Sequence, residues 1–124
     1  MAKEVLIIDD EPNICSVVSQ FLEKKGFTTI TANSGKEGIE IANQLVPDLI
    51  LLDINMPEMD GFEVLVKLKN DQKTMSIPVV MLTGRGDEIA KLSASALSSE
   101  YYITKPFDLE ELNSKIKQIL KITP

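Results

Sequence analysis

Apolar residues along this 124-residue chain follow two periods that take turns. Val5-Leu6-Ile7-Ile8, Leu49-Ile50-Leu51-Leu52 and Val79-Val80-Met81-Leu82 are unbroken apolar runs of strand length, the pattern of strands covered on both faces and so of central parallel strands. Two further segments read as flanking strands. Thr28-Thr29-Ile30-Thr31 mixes apolar with polar residues, and Tyr101-Tyr102-Ile103-Thr104 is aromatic and β-branched.

Between these runs the period becomes helical. Ile14, Val17, Val18, Phe21 and Leu22 share one predicted face ahead of Gly26, which has the character of a C-terminal stop. Ile39, Ala42 and Leu45 predict a second helix ending before Pro47, and Phe62, Leu65 and Leu68 a third after Gly61. A fourth is expected within 87–99 on Ile89, Leu92, Ala96 and Leu97, with a thin apolar face and four serines that lower its propensity. A fifth begins after Asp108, which is placed to cap it, with Glu110 and Glu111 near its positive end and Leu109, Leu112, Ile116, Ile119 and Leu120 as its apolar stripe. Five β-α units in strict alternation predict an α/β protein: a parallel sheet with helices on both faces.

Size and charge narrow the possibilities. A chain of 124 residues, 44% hydrophobic, forms one domain over residues 1–124 with a single core. A net charge of -6 repels nucleic-acid phosphates, so direct nucleic-acid binding is not expected. Cys15 stands alone, and neither a signal-peptide pattern nor an apolar run of membrane-spanning length is present, which points to the cytoplasm. There is no histidine, so Ser-His-Asp triads, His-ligated zinc and phosphohistidine on this chain are excluded. Acid chemistry here has to use carboxylates.

Chemistry-bearing residues stand at the ends of the predicted strands, where open α/β sheets place their sites. Asp9-Asp10-Glu11-Pro12 joins the first strand to the first helix. Its carboxylates suit helix capping when taken alone, and equally suit a hard divalent cation such as Mg2+, which would offset their mutual repulsion. Asp53 ends the most apolar strand and is either a turn former, with Asn55, Pro57 and Asp60-Gly61 following, or a nucleophile toward phosphorus. Thr83 either finishes its strand or donates to a phosphoryl oxygen, and Gly84 beside it would let a phosphate donor approach the backbone. Lys105, between an apolar strand and Pro106-Phe107, is placed to reach inward as a point charge on phosphate. Each signal is weak alone; their occurrence at successive strand ends reads as a phosphoryl-transfer site.

The strings Ile8-Asp9-Asp10-Glu11-Pro12, Leu52-Asp53-Ile54-Asn55-Met56-Pro57-Glu58-Met59-Asp60-Gly61, Met81-Leu82-Thr83-Gly84 and Tyr102-Ile103-Thr104-Lys105-Pro106-Phe107 strongly resemble the receiver domains of two-component response regulators, over residues 3–121. The resemblance implies a flavodoxin-like doubly wound (βα)5 three-layer sandwich with strand order 2-1-3-4-5. It also implies roles: Asp53 as phosphoacceptor, Asp10 and Asp9 as Mg2+ carboxylates together with Asp53 and the Asn55 backbone carbonyl, and Thr83 and Lys105 on the phosphoryl oxygens. Mn2+ could substitute for Mg2+. Tyr102 resembles the aromatic switch residue coupled to Thr83, and a cis Lys105-Pro106 bond is implied.

On this reading the chain is a signalling switch that catalyses only its own phosphorylation and dephosphorylation. Its expected partners are a histidine kinase or phosphotransfer protein and an output partner or domain. The output contact would be the face formed by the fourth predicted helix, the fifth strand and the last helix, with homodimerisation on phosphorylation as an option. The chain is expected to be either a stand-alone receiver or the amino-terminal part of a longer regulator. One departure is Ser98-Ser99, where receivers usually carry Gly-Ala; Asn55 and Arg85 are the positions expected to set the lifetime of the acyl phosphate. A phosphohydrolase of the haloacid dehalogenase type is disfavoured because Asn55 stands where such enzymes carry an acid-base Asp. A degenerate receiver is disfavoured because acceptor, acid and lysine positions are intact, and a nucleotide-binding flavodoxin-like protein because no Gly-rich loop follows the first strand.

Overall fold

The computed structural model describes residues 2–84 and 101–122. Its strands are β1 (Glu4–Ile8), β2 (Thr28–Ala32), β3 (Leu49–Asp53), β4 (Val79–Thr83) and β5 (Tyr101–Thr104), and its helices are α1 (Pro12–Lys24), α2 (Gly35–Leu45), α3 (Gly61–Lys69) and α4 (Leu109–Leu120). The expected helix within 87–99, Arg85 and Ser98-Ser99 lie outside the described residues.

All five strands are parallel in the order β2-β1-β3-β4-β5, as the resemblance implies. The unbroken apolar runs are the three central strands, because only a strand covered on both faces can bury consecutive side chains. Even-numbered positions Leu6, Ile8, Ile50 and Leu52 pack with Ala42 of α2 and Val64, Leu65 and Leu68 of α3. Odd-numbered Val5, Ile7, Leu49 and Leu51 pack with Val18 and Leu22 of α1 and Leu112 and Ile116 of α4. The period-2 alternation of Cβ direction thus divides one run into two cores, each side chain contributing about 1.5–3 kcal/mol by burial.

Helix ends follow local chemistry. Ser34 caps α2 by accepting from the Glu37 N–H at 3.1 Å, Asp60 caps α3 through the Glu63 N–H at 3.0 Å, and Asp108 caps α4 through the Glu110 N–H at 2.8 Å. Gly26 follows α1 at φ +98°, a conformation that side-chain-bearing residues resist. Two expected face residues lie outward: Val17 is 54% exposed on α1 and Leu45 50% exposed on the last turn of α2. In each case the helix turns its neighbours onto the sheet and leaves this position at the rim of the stripe.

Strand register decides where the strand ends fall. Ile8 pairs with Leu52, Asp53 with Leu82, and Thr83 with Thr104. Asp9, Asp53, Thr83 and Lys105 therefore emerge together at the carboxyl edge of the sheet.

Candidate functional site

Hydrogen bonds continue the ladder one residue past each strand and hold the site residues in place. The Asp9 N–H donates to the Ala32 carbonyl at 3.0 Å, the Ile54 N–H to Leu82 at 3.1 Å, and the Lys105 N–H to Thr83 at 2.6 Å. The loop after Asp53 returns at once, the Gly61 N–H reaching the Ile54 carbonyl at 2.9 Å. A Cβ on Gly61 would stand 2.6 Å from the Asp53 carbonyl oxygen and 2.7 Å from the Ile54 Cα, so only glycine allows α3 to start so close to the acceptor strand. Between them Glu58 adopts φ 67° as the Met59 N–H closes onto the Pro57 carbonyl at 2.7 Å.

The cluster is acidic, with one cation inside it among the described residues. Asp9 and Asp53 are buried and Asp10 is half-buried, and each offers a carboxylate oxygen within 4.8 Å of the others. Lys105 Nζ donates to Asp53 Oδ1 at 3.1 Å and lies 3.7 Å from Asp9 Oδ2. The Lys105-Pro106 bond is cis. Burial opposes the charge on Lys105, but the hydrogen bond to Asp53 and the charges of Asp53, Asp9 and Glu11 outweigh it and raise its pKa.

Asp9 goes the other way. Burial, aided by the charges of Asp53 and Glu11, raises its carboxyl to about 6, despite the Glu11 N–H and Lys105. Its Oδ1 accepts from the Glu11 N–H at 2.9 Å, whereas its Oδ2 is buried with no hydrogen-bond partner among the described residues. A buried oxygen without a donor, beside two further carboxylates, is costly by itself and is what a hard cation would satisfy. The donor set, all carboxylate oxygen, fits Mg2+.

Capping does not account for these acids. The N-cap of α1 is Glu11, whose side chain makes no capping hydrogen bond, and the first turn holds no acidic residue, Pro12 taking its place. Asp53 does have a turn contact, its Oδ1 accepting from the Asn55 N–H at 3.3 Å. Thr83 is fully buried at the end of β4, one residue beyond the partner of Asp53 in the register. Tyr102 lies apart from the cluster, 40% exposed on β5 opposite Met81.

One neighbour carries no sequence signal of its own. Asn33, in the loop between β2 and α2, donates from Nδ2 to the Asp9 carbonyl at 3.2 Å and lies 3.7 Å from Cys15 Sγ. The Cys15 thiol donates to the same carbonyl at 3.4 Å. Burial and the Asp9 charge push that thiol up to about 11, so it stays a protonated donor. The Ser34-x-x-Glu37 pattern marks the start of α2, but nothing local announces that Asn33 reaches the acidic loop.

A family model for the response regulator receiver domain matches residues 5–117. The chain is 42% identical over 119 residues to the DNA-binding dual master transcriptional regulator RpaA of Synechocystis sp., covering 96% of this chain and 49% of that protein. It is 38% identical over 121 residues to the alkaline phosphatase synthesis transcriptional regulatory protein PhoP of Bacillus subtilis, covering 98% and 50%. The structure of the chemotaxis protein CheY4 of Vibrio cholerae matches with a TM-score of 0.87 at 29% identity, covering 96% of this chain and 99% of that one. The chain spans about half the length of the curated relatives it matches. With the sheet order, the acidic strand ends and these relatives in agreement, the chain belongs to the response regulator receiver domain family.

Proposed function

We propose that this domain is a Mg2+-dependent phosphoacceptor switch in which Asp53 takes a phosphoryl group from the phosphohistidine of a partner kinase or phosphotransfer protein. The observation that carries the reading is the buried Asp53 carboxylate, held 3.1 Å from Lys105 within a three-carboxylate cluster. An Asp53 oxygen forms the new O–P bond, the N–P bond of the donor breaks, and its electron pair returns to the imidazole nitrogen. Hydrolysis reverses the modification: water adds to phosphorus, the O–P bond breaks and the Asp53 carboxylate is regenerated. No other substrate is turned over.

Asp9, Asp10, Asp53 and the Asn55 backbone carbonyl would hold the Mg2+, with Mn2+ as a substitute. When bound, the ion supplies positive charge against the repulsion between carboxylate and phosphoryl group. Lys105, beside both Asp53 and Asp9, adds a second positive charge, and the Thr83 hydroxyl donates to a phosphoryl oxygen. Drawing Thr83 and Lys105 toward the new dianion biases β4 and β5, so the exposed Tyr102 and α4 carry the response to the output partner. That partner is either a separate protein or a further domain of a longer regulator, and residues 1–124 act as one receiver domain in the cytoplasm.

An apolar groove of about 520 Å³ runs beside the site between α1 and the loop from β5 to α4, lined by Ile14, Val17, Val18, Pro106, Phe107 and Leu109. Lys105 lines the same groove, so a protein seated there is adjacent to Asp53. This adjacency supports the groove as the seat of the phosphodonor protein, which would give the 54% exposed Val17 a function that packing does not.

The test is intact mass after incubation with acetyl phosphate, with Mg2+ or with EDTA, on wild type and Asp53→Ala. One phosphate added to wild type only, and only with Mg2+, is the expected result. Undiminished incorporation in Asp53→Ala overturns the assignment.

A further inference from the structure

One of the hydrogen bonds that hold the β1–α1 loop, which carries Asp9 and Asp10, comes from a distant element. The Asn33 Nδ2 donates to the Asp9 carbonyl at 3.2 Å, and the backbone N–H of Asn33 donates to Glu37 Oε1 at 2.8 Å. Glu37 is itself fixed, its N–H bonding to Ser34 Oγ at 3.1 Å in the N-terminal box of α2. A chain of three hydrogen bonds thus runs from the start of α2 to the peptide between the two acidic residues. Orientation of that peptide sets where the Asp10 carboxylate points relative to Asp9 and Asp53.

We propose that Asn33 is a positioning residue for the divalent-cation site, locking the Asp9–Asp10 peptide from the α2 capping box. The inference rests on the Mg2+ reading of the acidic cluster. Its chemistry is specific: the Asp9 carbonyl needs a donor, which an amide side chain supplies and an aliphatic one does not. The Cys15 thiol is the other side-chain donor to that oxygen, and S–H is a weak one. Removing partners that orient ligands in this way costs about 10- to 100-fold in metal affinity or activity.

Mg2+ titration followed by amide NMR separates this role from a structural one. Asn33→Ala should weaken Mg2+ binding about tenfold, Asn33→Gln should recover part of the loss because it keeps the donor, and the Asp9 carbonyl 13C shift should move in metal-free Asn33→Ala. Thr74→Val serves as the control: it removes the buried bond to the Leu68 carbonyl at the C-terminal end of α3 and lowers the melting temperature, yet should bind Mg2+ as wild type does. Wild-type affinity in Asn33→Ala, an unchanged Asp9 carbonyl shift, or equal weakening by Thr74→Val overturns the positioning role while leaving the Mg2+ reading in place. Failure of the wild-type protein to bind Mg2+ overturns both.

Discussion

A single carboxyl group, Asp9, links this site to the stability of the fold. Its ordinary value is 3.8, and burial with neighbouring negative charge raises it to about 6 in the folded chain. Between those values the unfolded chain has released a proton that the folded chain keeps, so metal-free stability falls as pH rises through this window. The loss is on the order of 3 kcal/mol and is complete above the folded value. Saturating Mg2+, which favours the ionised group, should flatten the fall; urea unfolding at pH 4.5 and 7.5, with and without Mg2+, checks it. Lys105 makes a second prediction. Lys105→Ala removes the ammonium that reaches Asp53 at 3.1 Å, but none of the three carboxylates. Mg2+ binding should persist, while phosphorylation no longer shifts the NMR signals of α4. At this scale the sequence marked Asp9, Asp53, Thr83 and Lys105 at strand ends that the sheet brings to one edge, because a carboxylate after an apolar run is conspicuous. Asn33 escaped notice because its contact with Asp9 spans 24 positions and is made only when β2 lies beside β1.

Elements transmit constraint to the site through close backbone approach and through caps. Gly61→Ala would place a Cβ against the Asp53 carbonyl and the Ile54 Cα, both backbone atoms that cannot rotate aside. The expected cost is about 1–3 kcal/mol, seen in the urea midpoint, together with slower phosphorylation by acetyl phosphate as the acceptor strand is displaced. At the end of α2, Val46 adopts φ 44°, which a β-branched residue resists, and it is half exposed, so little burial offsets the strain. Val46→Gly should stabilise the domain by about 0.5–1 kcal/mol, the strain relieved less the added freedom of the unfolded chain. Thermal unfolding checks it. Strands and helix ends were legible because Gly26, Pro47 and Asp108 act through local geometry. The role of Gly61 was legible only as turn chemistry, since the strand it touches is brought there by the sheet.

For the molecule as a whole, charge and ligand act together. A chain of net charge -6 that gathers three carboxylates at one sheet edge should gain stability from divalent cation, by about 2.7 kcal/mol at a hundredfold excess over Kd. EDTA should lower the melting temperature of wild type and leave a triple Asp9, Asp10 and Asp53 alanine variant unchanged. The groove beside Lys105 offers a matching test at the same scale: Val17→Glu should slow phosphotransfer from a protein donor and spare that from acetyl phosphate, as rates of radiolabel transfer would show. By itself the sequence determined the α/β class, the central strands and which acidic, hydroxyl and ammonium groups end them, because hydrophobic period, turn residues and side-chain chemistry are local properties. Only the tertiary structure decided that the acids of the first loop do not cap α1, that one Asp9 oxygen is buried without a donor among the described residues, that Asn33 reaches the Asp9 carbonyl, and that Gly61 lies against the Asp53 backbone. Those facts depend on which strands lie side by side and in what register, and parallel pairing sets both across loops and helices that carry no record of them.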